Sequence, residues 1–138
     1  GVYLTIAEYI SKEYDLKEAV EKGIKKSFQF YENKEEFKEE LKHYKRIKDK
    51  NFNKLPEVEI KSTGYVVYTL EAVIWCLLNS ANHKECILKA VNLGEDTDTV
   101  GAVAGGLAGL YYGYEGIPKE WVERIKRREF IEELCRNF

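Results

Sequence analysis

From Tyr65 to Asn79 the chain is apolar on almost every side, with Val66, Val67, Leu70, Ala72, Val73, Ile74, Trp75, Leu77 and Leu78 inside one helix-length segment. A helix that is apolar nearly all round belongs at the centre of a bundle, because no single face of it can be left to water. The remaining segments must therefore wrap it, and their patterns suit that task. Val2–Ile10 reads as a buried helix, and Leu16–Phe30 places Leu16, Ala19, Val20, Ile24 and Phe28 at helical spacing. Asn33–Lys48 predicts a third, polar helix with the narrow stripe Phe37, Leu41, Tyr44, Ile47, its Lys and Glu forming a solvated face. Residues 49–63 carry Asn51, Asn53 and Pro56 without periodicity, which predicts a long loop. Lys84–Val91 predicts a short helix. A long helix ends at Gly113, and Pro118 opens another with Trp121, Val122 and Ile125 on its apolar face. Lys126–Asn137 closes the chain as an amphipathic helix using Phe130, Ile131 and Leu134. No segment alternates with period two for long enough to be a strand. The expected fold is all-α, an irregular multi-helix bundle. Glu71 lies inside the central apolar helix and needs a partner there, while His43 and His83 read as surface or capping residues.

The chemistry concentrates between Val91 and Tyr112. Asp96-Thr97-Asp98-Thr99 sets two carboxylates and two hydroxyls in four consecutive residues at the mouth of a Gly/Ala-rich helix. Hard divalent cations take oxygen ligands of these kinds. A helix cap needs only one such residue, so the density points to a metal or phosphate role. The positive end of the helix dipole opposes a cation, so further carboxylates from elsewhere are expected to complete a site. Gly101, Gly105 and Gly109 recur every fourth residue, and each costs about 0.5–1 kcal/mol in a helix interior. That stripe predicts a close approach by a neighbouring helix or a ligand. An EF-hand reading fails, because its twelfth position would be Leu107 where a bidentate Glu is required. Asp96, Asp98 and Val100 also fit the Asp-x-Asp-x-Thr/Val pattern of haloacid-dehalogenase-type phosphatases. Gly94 and Glu95 precede Asp96 in place of a buried strand, which weighs against that pattern.

Composition narrows the partners. The 138 residues suit one domain, and a net charge of −2 offers no basic footprint for nucleic acid. No apolar run reaches the roughly 18–20 residues a membrane span needs, and no signal peptide is visible. Cys76, Cys86 and Cys135 match no metal spacing and read as reduced, mostly buried thiols of a cytoplasmic protein. The chain has no Met and begins Gly1-Val2-Tyr3-Leu4 within a helical pattern, so a piece of a longer polypeptide is expected.

The run Ala90-Val91-Asn92-Leu93-Gly94-Glu95-Asp96-Thr97-Asp98-Thr99-Val100-Gly101-Ala102 resembles the C-terminal metal motif of the ADP-ribosylglycohydrolase family, which includes the dinitrogenase-reductase-activating enzymes. The resemblance extends to Gly64–Ala72 upstream and to Leu107–Gly113 and Ile117–Trp121 downstream. It implies that residues 1–138 are the C-terminal half of an all-α domain. It also implies that a missing N-terminal half supplies a Glu, a Thr-Asp-Asp cluster and the general acid or base. By the same resemblance, Asp96, Asp98 and Thr99 are metal ligands for two Mg²⁺ or Mn²⁺ ions, and Gly94 lets backbone approach the ribose or phosphates. Glu95 stands where the family usually has a second Gly, adding charge and bulk beside the substrate. Tyr65 is a candidate wall of the cleft, able to stack on adenine, and Tyr68 replaces a usually polar residue. The implied reaction is metal-dependent hydrolysis of the bond joining ADP-ribose to a protein side chain, with arginine the expected linkage. Two other outcomes remain open: an inactive helical relative that binds ADP-ribose or serves as scaffold, and a phosphohydrolase using Asp96.

Overall fold

The computed structural model describes residues 1–137, and among them every regular element is helical. Eight α-helices follow in order: α1 (Val2–Ser11), α2 (Leu16–Glu32), α3 (Lys38–Leu41), α4 (Val66–Leu78), α5 (His83–Asn92), α6 (Thr97–Tyr112), α7 (Lys119–Val122) and α8 (Arg128–Arg136). The central helix is the one its apolar sequence demands. In α4, Val67, Ala72, Val73, Ile74, Trp75, Cys76 and Leu77 are buried, and the helix packs on α2, α5 and α6. Polar caps start its neighbours. The Asp15 carboxylate accepts from the Lys17 N–H at 3.0 Å to open α2, and Asn82 Oδ1 accepts from Glu85 N–H at 2.9 Å to open α5.

The tightest helix pair is α1 against α2. A Cβ built on Gly23 would stand 2.7 Å from the Ile6 backbone, so only glycine permits this approach. Thr5 Oγ1 donates to the Gly23 carbonyl at 3.0 Å across the same contact.

Two expectations require correction, and the loop expected between them gains detail. Residues 33–48 do not form one α-helix: α3 is a single turn flanked by 3₁₀ turns at Glu35–Phe37 and Lys42–Lys48. The apolar residues Leu41, Tyr44 and Ile47 are spaced by three, and a 3₁₀ helix eclipses residues three apart. The ion pairs Lys38–Glu35 and Lys42–Glu39 have the same spacing. The 49–63 segment is without an α-helix but is not slack. It holds 3₁₀ turns at Phe52–Lys54 and Glu57–Glu59, and α4 ties it down. Trp75 Nε1 donates to the Leu55 carbonyl at 3.0 Å, and Asn79 Nδ2 to the Asn53 carbonyl at 2.9 Å. His83, expected at the surface, is buried, with its ring edge-on to Trp121 and its Nδ1 without a partner.

The cysteines divide. Cys76 and Cys86 are buried, their thiols pushed up to about 12 and about 11 by burial, whereas Cys135 is exposed. The closing helix α8 keeps its amphipathic pattern, yet Phe130, Ile131 and Leu134 remain close to half exposed. No helix among the described residues is long and apolar enough to cross a membrane.

Candidate metal and ADP-ribose site

The α5–α6 connection is a sharp turn. Gly94 has φ +91° and Glu95 φ +49°, two consecutive residues in the left-handed region, and α6 begins immediately after Asp96. Left-handed backbone costs a non-glycine residue roughly 1–2 kcal/mol, so Gly94 is required by its conformation and Glu95 is held there against it. The turn brings the two acidic side chains together although they are two residues apart. The Asp98 carboxyl is held below the usual range, chiefly by a hydrogen bond from Asp96 and then by the N–H groups of Thr99 and Asp98. Two carboxyl groups in such contact, with α6 starting beneath them, make a concentrated oxygen donor set. Asp96 is half-buried, and Asp98 and Thr99 are exposed.

The turn rests on the chain that leads into α4. The Asp96 N–H donates to the Ser62 carbonyl at 3.0 Å, and Ser62 Oγ donates to the Gly94 carbonyl at 3.0 Å. The Glu95 side chain folds back, its Oε2 accepting from the Ser62 N–H at 3.2 Å. Glu95, standing where a second Gly is expected, thus engages its carboxylate with backbone. Gly64 lies against Asp96, with Oδ2 only 2.8 Å from where a Cβ would be. Through Gly64 the acidic turn borders a cavity of about 660 Å³ whose lining includes Tyr3, Tyr44, Val66, Thr99 and Val103.

Of the residues singled out in the sequence, Gly94, Glu95, Asp96 and Asp98 therefore form one cluster, and Thr99 faces the adjoining cavity. Tyr65 follows Gly64 at the start of α4, 46% exposed, its ring edge-on to Tyr68 at 5.2 Å. No sequence signal singled out Ser62 for this task. Its partners lie more than thirty residues away, and serine before a helix suggests only a cap.

The donor chemistry fits a hard divalent cation: two convergent carboxyl groups and a neighbouring hydroxyl, all oxygen. Among the described residues no group of three or more His, Cys, Asp or Glu side chains converges on one point. The turn alone therefore falls short of a full set of ligands. Glu71, the other acidic residue of interest, serves elsewhere. It is buried, its Oε2 meets Arg46 Nη1 at 3.1 Å, and burial raises its pKa against the opposing pull of Arg46.

The fold and the turn together define an all-α protein whose acidic helix entry opens on an apolar cleft. A family model described as ADP-ribosylglycohydrolase matches residues 1–138, and the chain belongs to that family. It is similar to the ADP-ribosylarginine hydrolase Tri1 of Pseudomonas putida, 49% identical over 79 residues, covering 57% of this chain and 21% of that protein. The ADP-ribosyl-(dinitrogen reductase) glycohydrolase of Rhodospirillum rubrum is 38% identical over 65 residues, covering 47% of this chain and 22% of that protein. The human ADP-ribosylhydrolase ARH3 is 33% identical over 51 residues, covering 37% and 14% respectively. The aligned segments thus span about a fifth or less of these relatives' own lengths.

Proposed function

We propose that this chain contributes part of the active site of a hydrolase that removes ADP-ribose from a modified protein side chain, arginine being the favoured linkage. The observation that carries this reading is the acidic Asp96–Thr99 turn, its Asp96 carboxylate seated against Gly64 beside the cavity that Gly64 and Thr99 line. Asp96, Asp98 and Thr99 would hold divalent cations, two Mg²⁺ or Mn²⁺ ions in the complete site. Such ions would orient water and ribose hydroxyls and offset developing charge as the glycosidic bond breaks. Gly94, with no side chain, would let the ribose or phosphates approach the turn, and the exposed Tyr65 ring would flank the base. The remaining ligands and the general acid or base would come from an N-terminal part of the same polypeptide. A cytoplasmic setting is consistent with the free cysteines.

The test is release of ADP-ribose from ADP-ribosyl-arginine protein by the complete polypeptide with added Mg²⁺ or Mn²⁺. Asp98→Ala should lower turnover by at least on the order of 100-fold, since losing even an outer-shell partner of a metal costs 10–100-fold. Far-UV helicity should be unchanged. Full turnover in that variant would refute the assigned role. A second reading, ADP-ribose binding without hydrolysis, is favoured by the lack of a third converging acidic ligand among the described residues. Saturable binding of ADP-ribose without product would favour it.

A further inference from the structure

The place of the Asp96 carboxylate depends on a segment from another part of the chain. Ser62 is 1% exposed, and its N–H, hydroxyl and carbonyl are all spent on the acidic turn, bonded to Glu95, Gly94 and Asp96 in that order. Gly64, two residues on, lies where its missing side chain leaves room for Asp96 Oδ2. Its backbone is not left-handed, so the demand for glycine there is one of space and not of conformation.

We propose that Ser62 and Gly64 are positioning residues for the cation-binding carboxylates: Ser62 fixes the backbone of the Gly94–Asp96 turn, and Gly64 keeps open the volume the Asp96 carboxylate fills. This inference rests on the cation reading above. The physical need is plain. Two successive left-handed residues persist only where surrounding contacts over-determine them, and the turn is otherwise largely exposed. A metal ligand must be held within about 0.5 Å of its productive place, which an exposed turn does not achieve alone. Three hydrogen bonds from one buried residue supply the constraint. A methyl at position 64 would not disturb the bundle, because Gly64 is exposed. It would turn the Asp96 side chain away from Asp98 and so split the donor pair.

The experiment is titration of the complete isotope-labelled polypeptide with Mn²⁺ alone, reading paramagnetic broadening of the backbone amide signals of residues 96–99. The wild-type chain should lose these signals first. Ser62→Ala and Gly64→Ala should each require about tenfold more Mn²⁺ or greater for the same broadening, the range expected of outer-shell partners. Amide shifts of α4 and α6 core residues should stay in place, which separates positioning from general loss of structure. The exposed Gly64 position keeps the test decisive if Ser62→Ala folds poorly. Selective broadening in the wild type at Mn²⁺ concentrations that Ser62→Ala and Gly64→Ala share would overturn the positioning role while leaving the cation reading intact. Absence of selective broadening in the wild type would overturn both.

Discussion

Single residues in this chain divide by what surrounds them more than by their type, and the glycines of α6 make the point. The stripe Gly101, Gly105, Gly109 suggests one close helix contact, but the structure grades it. A Cβ at Gly101 would meet Val91 at 3.0 Å, one at Gly105 would be in ordinary contact with Ile87, and one at Gly109 would meet nothing within 4 Å. The closest approach is at Gly106, outside the stripe, where the Tyr3 hydroxyl sits on its way to the Val103 carbonyl. Gly109→Ala should therefore stabilise the fold by about 0.5–1 kcal/mol through helix propensity alone, seen as a higher urea midpoint with unchanged slope. Glu95 is the opposite case, a left-handed residue kept by one hydrogen bond. In Glu95→Gly, relief of roughly 1 kcal/mol of backbone strain offsets a lost bond of about 0.5–1.5 kcal/mol. The midpoint should barely move while the Ser62 amide exchanges faster; an unchanged Ser62 amide would show that the carboxylate does not hold it.

At the scale of elements, helices announce themselves in the sequence when their apolar residues keep a 3.6 period, as in α2, or run apolar all round over a helix's length, as in α4. The 42–48 turn does not, because its apolar spacing of three suits 3₁₀ geometry and looks like a thin α stripe when read alone. The candidate site was legible to the same extent. Asp96, Asp98 and Thr99 stand out because their oxygens are adjacent in sequence, while Ser62 is silent because its bonds span distant segments. Long-range pairing also explains Glu71, whose need for a partner was evident but whose partner, Arg46, was not. That pair fixes the 3₁₀ segment to α4, with Arg46 Nη2 also donating to the Glu59 carbonyl at 2.8 Å. Arg46→Met would strand a buried carboxylate and should cost about 3 kcal/mol, the low end for a buried pair because Arg46 is partly in water. A loss under half that size in chemical denaturation would mean that the pair is screened as at a surface. Between α1 and α2, Gly23→Ala forces a methyl into the Ile6 backbone, which cannot yield. Overpacking of about 1–3 kcal/mol set against about 1 kcal/mol of propensity leaves a net loss of up to about 2 kcal/mol.

Over the whole molecule, acid is the condition that sets these local terms against one another. Burial lowers the pKa of His83, so the unfolded chain takes up a proton that the folded chain resists. Stability from this residue is present above about pH 6.5, the ordinary histidine value, and falls as pH drops below it. The carboxylates act lower. Glu8 is held down at about 2 by its hydrogen bonds to Lys12 and Lys26, so its contribution persists above about 4.5 and fades as pH falls towards 2. Glu71 runs the other way: burial raises its pKa, so rising pH above about 4.5 and through its raised pKa weakens the fold at this one position. His83 begins to act at about pH 6.5, with a slope of at most about 1.4 kcal/mol per pH unit for one proton, and replacing it separates its part from that of the carboxylates. His83 sits against Trp121 and Gly116, and burial there disfavours its charged form. The melting temperature of the wild-type chain should fall between pH 7 and pH 5, and in His83→Gln that fall should flatten even though the variant starts lower. The same slope in both proteins would assign the acid sensitivity to the carboxylates. A flat profile in the variant would show that a buried imidazole, which the sequence alone suggests is a surface cap, sets the acid limit of the bundle.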